Sequence, residues 1–202
     1  MRDRTAGIIL AGGTARRMGG GDKPLRLLGG QPLLRHVMAR LEPQVDALAL
    51  NANGDPTRFA AFGLPVVADE PPSRGPLSGI LAGLNWAAAH CPGCAWLVTV
   101  PGDTPFLPPG LVASLHSERE AAGTTAAMAA SKGRRHPPAG LWPVSCRAAL
   151  ADALAGGEER VGRWAESLGC AIADFTADPD PFFNANTPGE LAQAEALLAR
   201  LP

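Results

Sequence analysis

The chain has 202 residues, enough for one well-buried domain and short for two. It is 46% hydrophobic and 18% charged, without the charge excess of a disordered chain, and a net charge of -1 supplies no basic field for nucleic acid or an acidic membrane. No apolar run approaches the length of a secretory core or a spanning helix, so a cytoplasmic protein with neither nucleic-acid nor membrane partners is expected.

Short apolar runs alternate with longer segments of helical period, which predicts an α/β fold with a mostly parallel sheet flanked by helices. The first strand is expected over 7–11, and it empties into LAGGTARRMGGGDK, from Leu10 to Lys23. Ligands of parallel sheets gather outside the carboxyl ends of the strands. Glycines there let backbone N–H groups converge on phosphate oxygens, and Arg16, Arg17 and Lys23 can neutralise phosphate charge. Spacing excludes two common nucleotide loops: there is no GxGxxG, and Lys23 stands between Asp22 and Pro24 rather than before Ser or Thr.

A helix is predicted from Pro32, with Leu34, Val37, Met38 and Leu41 on one face. Strands follow at 47–51, ending on Asn51, and at 65–68, just before Asp69. GPLSG, from Gly75 to Gly79, opens a helix over 77–90 that turns Ile80, Leu81, Leu84 and Ala87 or Ala88 inward. CPGC, from Cys91 to Cys94, lacks the second CxxC or close histidine pair of a zinc site and the context of a redox pair, and is read as a structural turn. A strand over 96–100 runs into PGDTP, which places Asp103 just beyond its carboxyl end. A carboxylate there suits Mg2+, which binds through few carboxylates plus waters and substrate phosphates; the plain alternative is a turn-forming aspartate.

Strands over 125–130, 140–144 and 171–175 complete the set. The stretch 123–135 is rich in small residues, ends in KGRR, and reads as a mobile connection. The last helix starts at a capping box, Thr187 to Glu190, and carries Leu191, Ala194, Leu198 and Leu201 as its stripe. Neither an internal repeat nor a dividing linker is found, so a single domain over 1–202 is expected.

LAGGxxxRMGGxDK resembles the opening motif of the molybdenum cofactor guanylyltransferase family, nucleotidyltransferases with a Rossmann-like α/β core. GPLSG, VPGDTP, HPPAGLW from His136 and FNANTP from Phe183 follow in the family's order, so the resemblance covers nearly the whole chain. It implies transfer of GMP from GTP to the terminal phosphate of molybdenum-molybdopterin, with Mg2+ as cofactor and pyrophosphate as product. It implies nucleotide contacts from Leu10, Ala11, Gly12, Gly13, Lys23, Asn51, Asp69 and Asp103, with Arg17, Lys23 and Asp103 catalytic and Asp103 the metal ligand. Asp69 has a rationale as a guanine reader, because a carboxylate can accept from both N1–H and the 2-amino group; a loop or capping carboxylate is the alternative. Acceptor-side candidates are Gly79, His136, Asn184 and Asn186. Asn184 and Asn186 suit the cofactor side or the metal shell, Asn186 equally the start of the last helix, and His136 is assigned no acid or base duty.

An ionised acceptor phosphate needs no protein nucleophile, so the demand falls on positioning and charge stabilisation. Two other readings stay open. One is the same scaffold acting with CTP or another NTP, although relatives acting with CTP usually read LAAG where this chain reads LAGG. The other is a non-catalytic carrier of GTP or cofactor. An unstable pterin implies transient contact with pterin-delivering and molybdoenzyme-maturation proteins, and no residue marks such an interface.

Overall fold

Alternation along three neighbouring strands divides the core into two layers. In the computed structural model, which describes residues 3–12, 22–185 and 187–200, β1 (Thr5–Leu10) sends Ala6 and Ile8 to one face of the sheet and Ile9 to the other. After β1 come a two-residue hairpin pair, β2 (Leu27–Leu28) and β3 (Gln31–Pro32), then α1 (Leu33–Leu41), β4 (Ala47–Asn51), β5 (Val66–Val67), α2 (Pro76–His90) and β6 (Trp96–Pro101). The second half runs α3 (Leu111–Ala122), β7 (Ala127–Ser131), β8 (Arg134–Pro143), α4 (Arg147–Ala155), α5 (Val161–Ser167), β9 (Ala171–Phe175) and α6 (Pro188–Leu198).

Seven strands form one sheet in the order β5-β4-β1-β6-β8-β7-β9. The pairs β1–β4, β1–β6, β4–β5 and β7–β9 are parallel, and β8 is antiparallel to both neighbours. This is the mostly parallel α/β sheet expected from the alternation of apolar runs. Leu34, Val37, Met38 and Leu41 of α1 and Leu111 and Leu115 of α3 pack on the face shared by Ile9, Leu50 and Val98. Leu77, Ile80 and Leu84 of α2, with Trp164 of α5, pack on the opposite face against Ile8, Leu97 and Trp142. Burying side chains of this size from both faces is the main stabilising term, at roughly 1.5–3 kcal/mol each. Among the described residues no helix is long and apolar enough to cross a membrane.

The expected strands all have counterparts, with differences at the boundaries. On α2, Leu81 is only partly buried and Ala88 is exposed, so the inward stripe runs through Ala87. The stretch 123–135 is not a connection: it holds β7 and a tight turn in which Lys132 and Gly133 both take positive φ, 49° and 73°. A two-residue turn of that kind matches the twist of a hairpin, and Ser131 pairs with Arg134 across it. Cys91 and Cys94, read from sequence as a structural turn, are buried and joined as a disulfide between α2 and β6. α6 is capped as expected: Thr187 Oγ1 accepts from the Glu190 N–H at 3.2 Å and donates to its carboxylate at 3.1 Å. Leu201, placed on its stripe, lies outside the described residues.

Candidate active site

Parallel strands bring their carboxyl ends to one rim of the sheet, and a cleft of about 320 Å³ opens there. Leu10 ends β1, Asn51 ends β4, Asp69 follows β5, and Gly102 and Asp103 follow β6; all line the cleft. Backbone bonds fix this rim: Ala11 N–H donates to Asn51 O at 2.8 Å and Gly102 N–H to Leu10 O at 3.0 Å. Gly12 also lines it, while Ala11 is fully buried and contributes backbone only. Gly13 and Arg17 lie outside the described residues.

Lys23 begins a single 3-10 turn, Lys23–Leu25, whose second residue is Pro24. That turn aims the chain into the cleft, where the Lys23 ammonium is bonded to Asp103 Oδ2. Both side chains are largely buried, at 10% and 15% exposure, and the pairing compensates part of the cost of burying each charge. Asp22, one residue earlier, pairs with Arg58 at 2.9 Å.

The other wall is built from amides around one carboxylate. Asn51, largely buried at the end of β4, donates to Val67 O at 3.1 Å and to Asp69 Oδ1 at 2.7 Å. Asn53 Nδ2 donates to Asp69 Oδ2 at 2.8 Å while its Oδ1 accepts the Asp69 N–H at 2.8 Å. Ser73 Oγ donates to Asp69 Oδ2 at 2.6 Å. Asn53 and Ser73 sit in loops and Arg58 in a 3-10 helix over Pro56–Phe62, so no apolar period marks them, and the one signal in the sequence is the repetition of asparagine in Asn51-Ala-Asn53.

Of the acceptor-side candidates, Asn184 lines the cleft and Asn186 lies outside the described residues. Gly79 is buried in α2 and does not line the cleft; a Cβ there would collide with Asn51 Oδ1 and approach Leu10 Cδ2 to 2.9 Å. Its place in the site is steric, leaving room for Asn51. His136 also stays off the lining. It stacks on Phe182 with centroids 4.6 Å apart, and its Nε2 meets Ser131 Oγ at 2.8 Å. Since Ser131 spends its single proton on Asp180 Oδ1, at 2.8 Å, Nε2 is the protonated nitrogen of the ring. Burial pushes the His136 pKa below its ordinary value against the pull of Asp180. The residues 180–182 so pinned lead directly to Asn184.

Asp103 places one hard carboxylate on the cleft wall, its Oδ2 bonded to Lys23, and such a donor fits Mg2+, which binds through few carboxylates and completes its shell with other oxygens. A second grouping, Asp3, His116 and Glu120, holds one donor atom from each residue within 4.8 Å of the others. It lies at the amino end of β1, and Arg119 already bonds to Asp3 at 3.2 Å and Glu120 at 2.9 Å, supplying the positive charge a metal would bring.

Comparison with known proteins supports a shared architecture and ancestry. Residues 7–170 match the family described as a MobA-like NTP transferase domain. A molybdenum cofactor guanylyltransferase of Rhodopseudomonas palustris (strain HaA2) is 53% identical over 198 residues, covering 96% of this chain and 92% of that protein. Another, from Cereibacter sphaeroides, is 53% identical over 197 residues and covers 98% of both. Among solved structures, molybdopterin-guanine dinucleotide biosynthesis protein A from Archaeoglobus fulgidus superposes with a TM-score of 0.74 at 23% identity, covering 98% of this chain and 100% of that one. A 4-diphosphocytidyl-2C-methyl-D-erythritolsynthase from Anaerococcus prevotii has the same TM-score, 0.74, at 14% identity, covering 98% of this chain and 97% of that one, a likeness of fold alone.

Proposed function

Because the chain belongs to the MobA-like NTP transferase family, we propose that it transfers GMP from GTP to the terminal phosphate of molybdenum-molybdopterin and releases pyrophosphate. The observation that carries this reading is identity above one half, over nearly the full length of both chains, with two molybdenum cofactor guanylyltransferases. The seven strands share one sheet, which supports reading residues 1–202 as one nucleotidyltransferase domain. GTP as substrate carries with it a cytoplasmic setting.

The acceptor phosphate is its own nucleophile, and the described residues of the cleft include neither cysteine nor histidine. The work of the chain is therefore to bind, align and compensate charge. Leu10, Ala11 and Gly12 hold the nucleotide along the rim, with Gly13 continuing the loop. Asp69 faces the base, set in place by Asn51. Lys23 exchanges its bond to Asp103 for the phosphates and, with Arg17, neutralises the charge that builds on departing pyrophosphate. Asp103 would hold Mg2+, which when bound neutralises phosphate charge and polarises the α-phosphorus. Asn184 and Asn186 remain the residues proposed for the acceptor side.

The test is pyrophosphate release by purified protein supplied with Mg2+ and molybdenum-loaded molybdopterin, with GTP, CTP and ATP compared side by side. Release with GTP alone is expected. Release with CTP would keep the reaction class and change the base, and GTP binding without release from any nucleotide would point to a carrier.

A further inference from the structure

The Asp69 carboxylate is more heavily engaged than a waiting base-reading group needs to be. A carboxylate offers about two lone pairs on each oxygen. Oδ1 accepts one bond, from Asn51; Oδ2 accepts two, from Asn53 and Ser73. Gripping guanine through N1–H and the 2-amino group takes one lone pair from each oxygen. Oδ1 has one to give and Oδ2 has none, so one of the two donors on Oδ2 must leave as the base arrives.

The two donors are held very differently. Asn53 is fixed at both ends of its amide, since Oδ1 accepts the Asp69 N–H and Nδ2 donates to the carboxylate. Neither partner could accept a flipped amide, because a backbone N–H only donates and a carboxylate only accepts. Arg58 adds to the anchorage by donating to Asn53 O while ion-paired to Asp22. Ser73 is exposed and reaches Asp69 through one hydroxyl that rotates about a single bond.

We propose that Asn53 is a positioning residue that fixes the plane of the Asp69 carboxylate for guanine, and that the Ser73 hydroxyl is a competing donor which the base displaces. The proposal rests on Asp69 being the base-reading group, and it assigns opposite signs to two side chains bonded to the same oxygen. Removing Asn53 frees the carboxylate to rotate and weakens guanine binding. Removing the Ser73 hydroxyl opens Oδ2 in advance and strengthens it.

The experiment compares Asn53→Ala, Ser73→Ala and Asp69→Asn with the wild-type protein. Dissociation constants for GTP and for inosine triphosphate, which lacks the 2-amino group, are measured with Mg2+, and KM and kcat for GTP are measured with the loaded acceptor. Asn53→Ala is expected to raise Kd and KM for GTP about tenfold, to leave kcat within about twofold, and to shrink the preference for GTP over inosine triphosphate. Ser73→Ala is expected to lower Kd for GTP severalfold with the preference kept. Shifts of the same sign in the two alanine variants, or an unchanged preference in Asn53→Ala while Asp69→Asn loses it, overturn the division of labour alone. Full preference retained in Asp69→Asn removes the base-reading assignment itself and the proposal with it. Thermal melts of each variant separate loss of positioning from loss of fold.

Discussion

The ammonium of Lys23 is bonded to the carboxylate of Asp103 across the floor of the cleft, joining the glycine-rich loop after β1 to the turn after β6. The bond balances two charges that are 90% and 85% buried as side chains, and it keeps the proposed phosphate and metal groups side by side before nucleotide arrives.

Neutralising either partner takes an opposite charge away from a largely buried side chain. Lys23→Met and Asp103→Asn should each lower the melting temperature, and the double variant should recover much of that loss, because a neutral pair of similar shape carries little desolvation cost. Turnover should fall at least about 100-fold in all three. Melting curves and pyrophosphate release read the two effects separately, and wild-type turnover in either single variant would remove that residue from the mechanism.

Gly79 leaves the space in which the Asn51 amide sits. Gly79→Ala should displace that amide, costing about 1–3 kcal/mol in stability and weakening GTP binding. Calorimetric titration with GTP checks this; binding at the wild-type value would show that the position of Asn51 does not govern affinity.

His136 has a pKa below its ordinary 6.5, burial being the largest cause, so the unfolded chain takes up its proton more readily than the folded one. The stability it contributes is complete above about pH 6.5 and is lost as pH falls through that value toward the folded pKa. Between pH 7 and pH 5 the melting temperature of the wild-type protein should drop further than that of His136→Gln. Equal drops in the two proteins would contradict the assignment.

Thr99 is fully buried, and its hydroxyl donates to Pro138 O at 2.8 Å while accepting from Trp142 Nε1 at 3.0 Å. Thr99→Val keeps the shape and leaves an indole N–H and a carbonyl without that partner, a loss of about 1–3 kcal/mol. Urea unfolding should show a lower midpoint at constant slope, and Thr99→Ser should lie much nearer to wild type.

Burial raises the thiol of Cys146 to about 11 and that of Cys170 to about 12. Thiolates are the reactive form, so iodoacetamide at pH 8 should label both far more slowly in the native protein than in urea. Mass spectrometry of timed samples distinguishes this from equal labelling in the two states.

The central strands β1, β4 and β6 were legible because their apolar runs are buried on both faces; Asn51, Asp69 and Asp103 were legible because motif and strand end coincide, and Lys23 by its motif alone. The first half of β8 was not. Pro137 and Pro138 argue against a strand, and the structure accommodates them where the register slips: Met128 pairs with Gly140 but Ala129 with His136. Asn53 and Ser73 were illegible for a different reason. Their importance lies in three bonds to residues 4 to 16 positions away, and no local pattern encodes those. Gly79 and His136 were expected on the acceptor side, and neither lines the cleft: Gly79 leaves room for Asn51, and His136 stacks on Phe182.

α6 closes over the hairpin that follows the glycine-rich loop: Glu195 accepts the Gly29 N–H at 2.8 Å, and Ala194 joins Leu28 and Leu33 in a small apolar cluster. This makes the order of synthesis matter. At ribosomal speeds of ~5–20 residues per second, a chain of this length takes roughly 10–40 s to emerge. For the last part of that time Leu28 and Leu33 have Phe106 and Ala185 of their cluster but still lack the part of their cover that α6 supplies. The side of the hairpin facing α6 is therefore among the later surfaces to be covered, after the strands that carry the rim have been made.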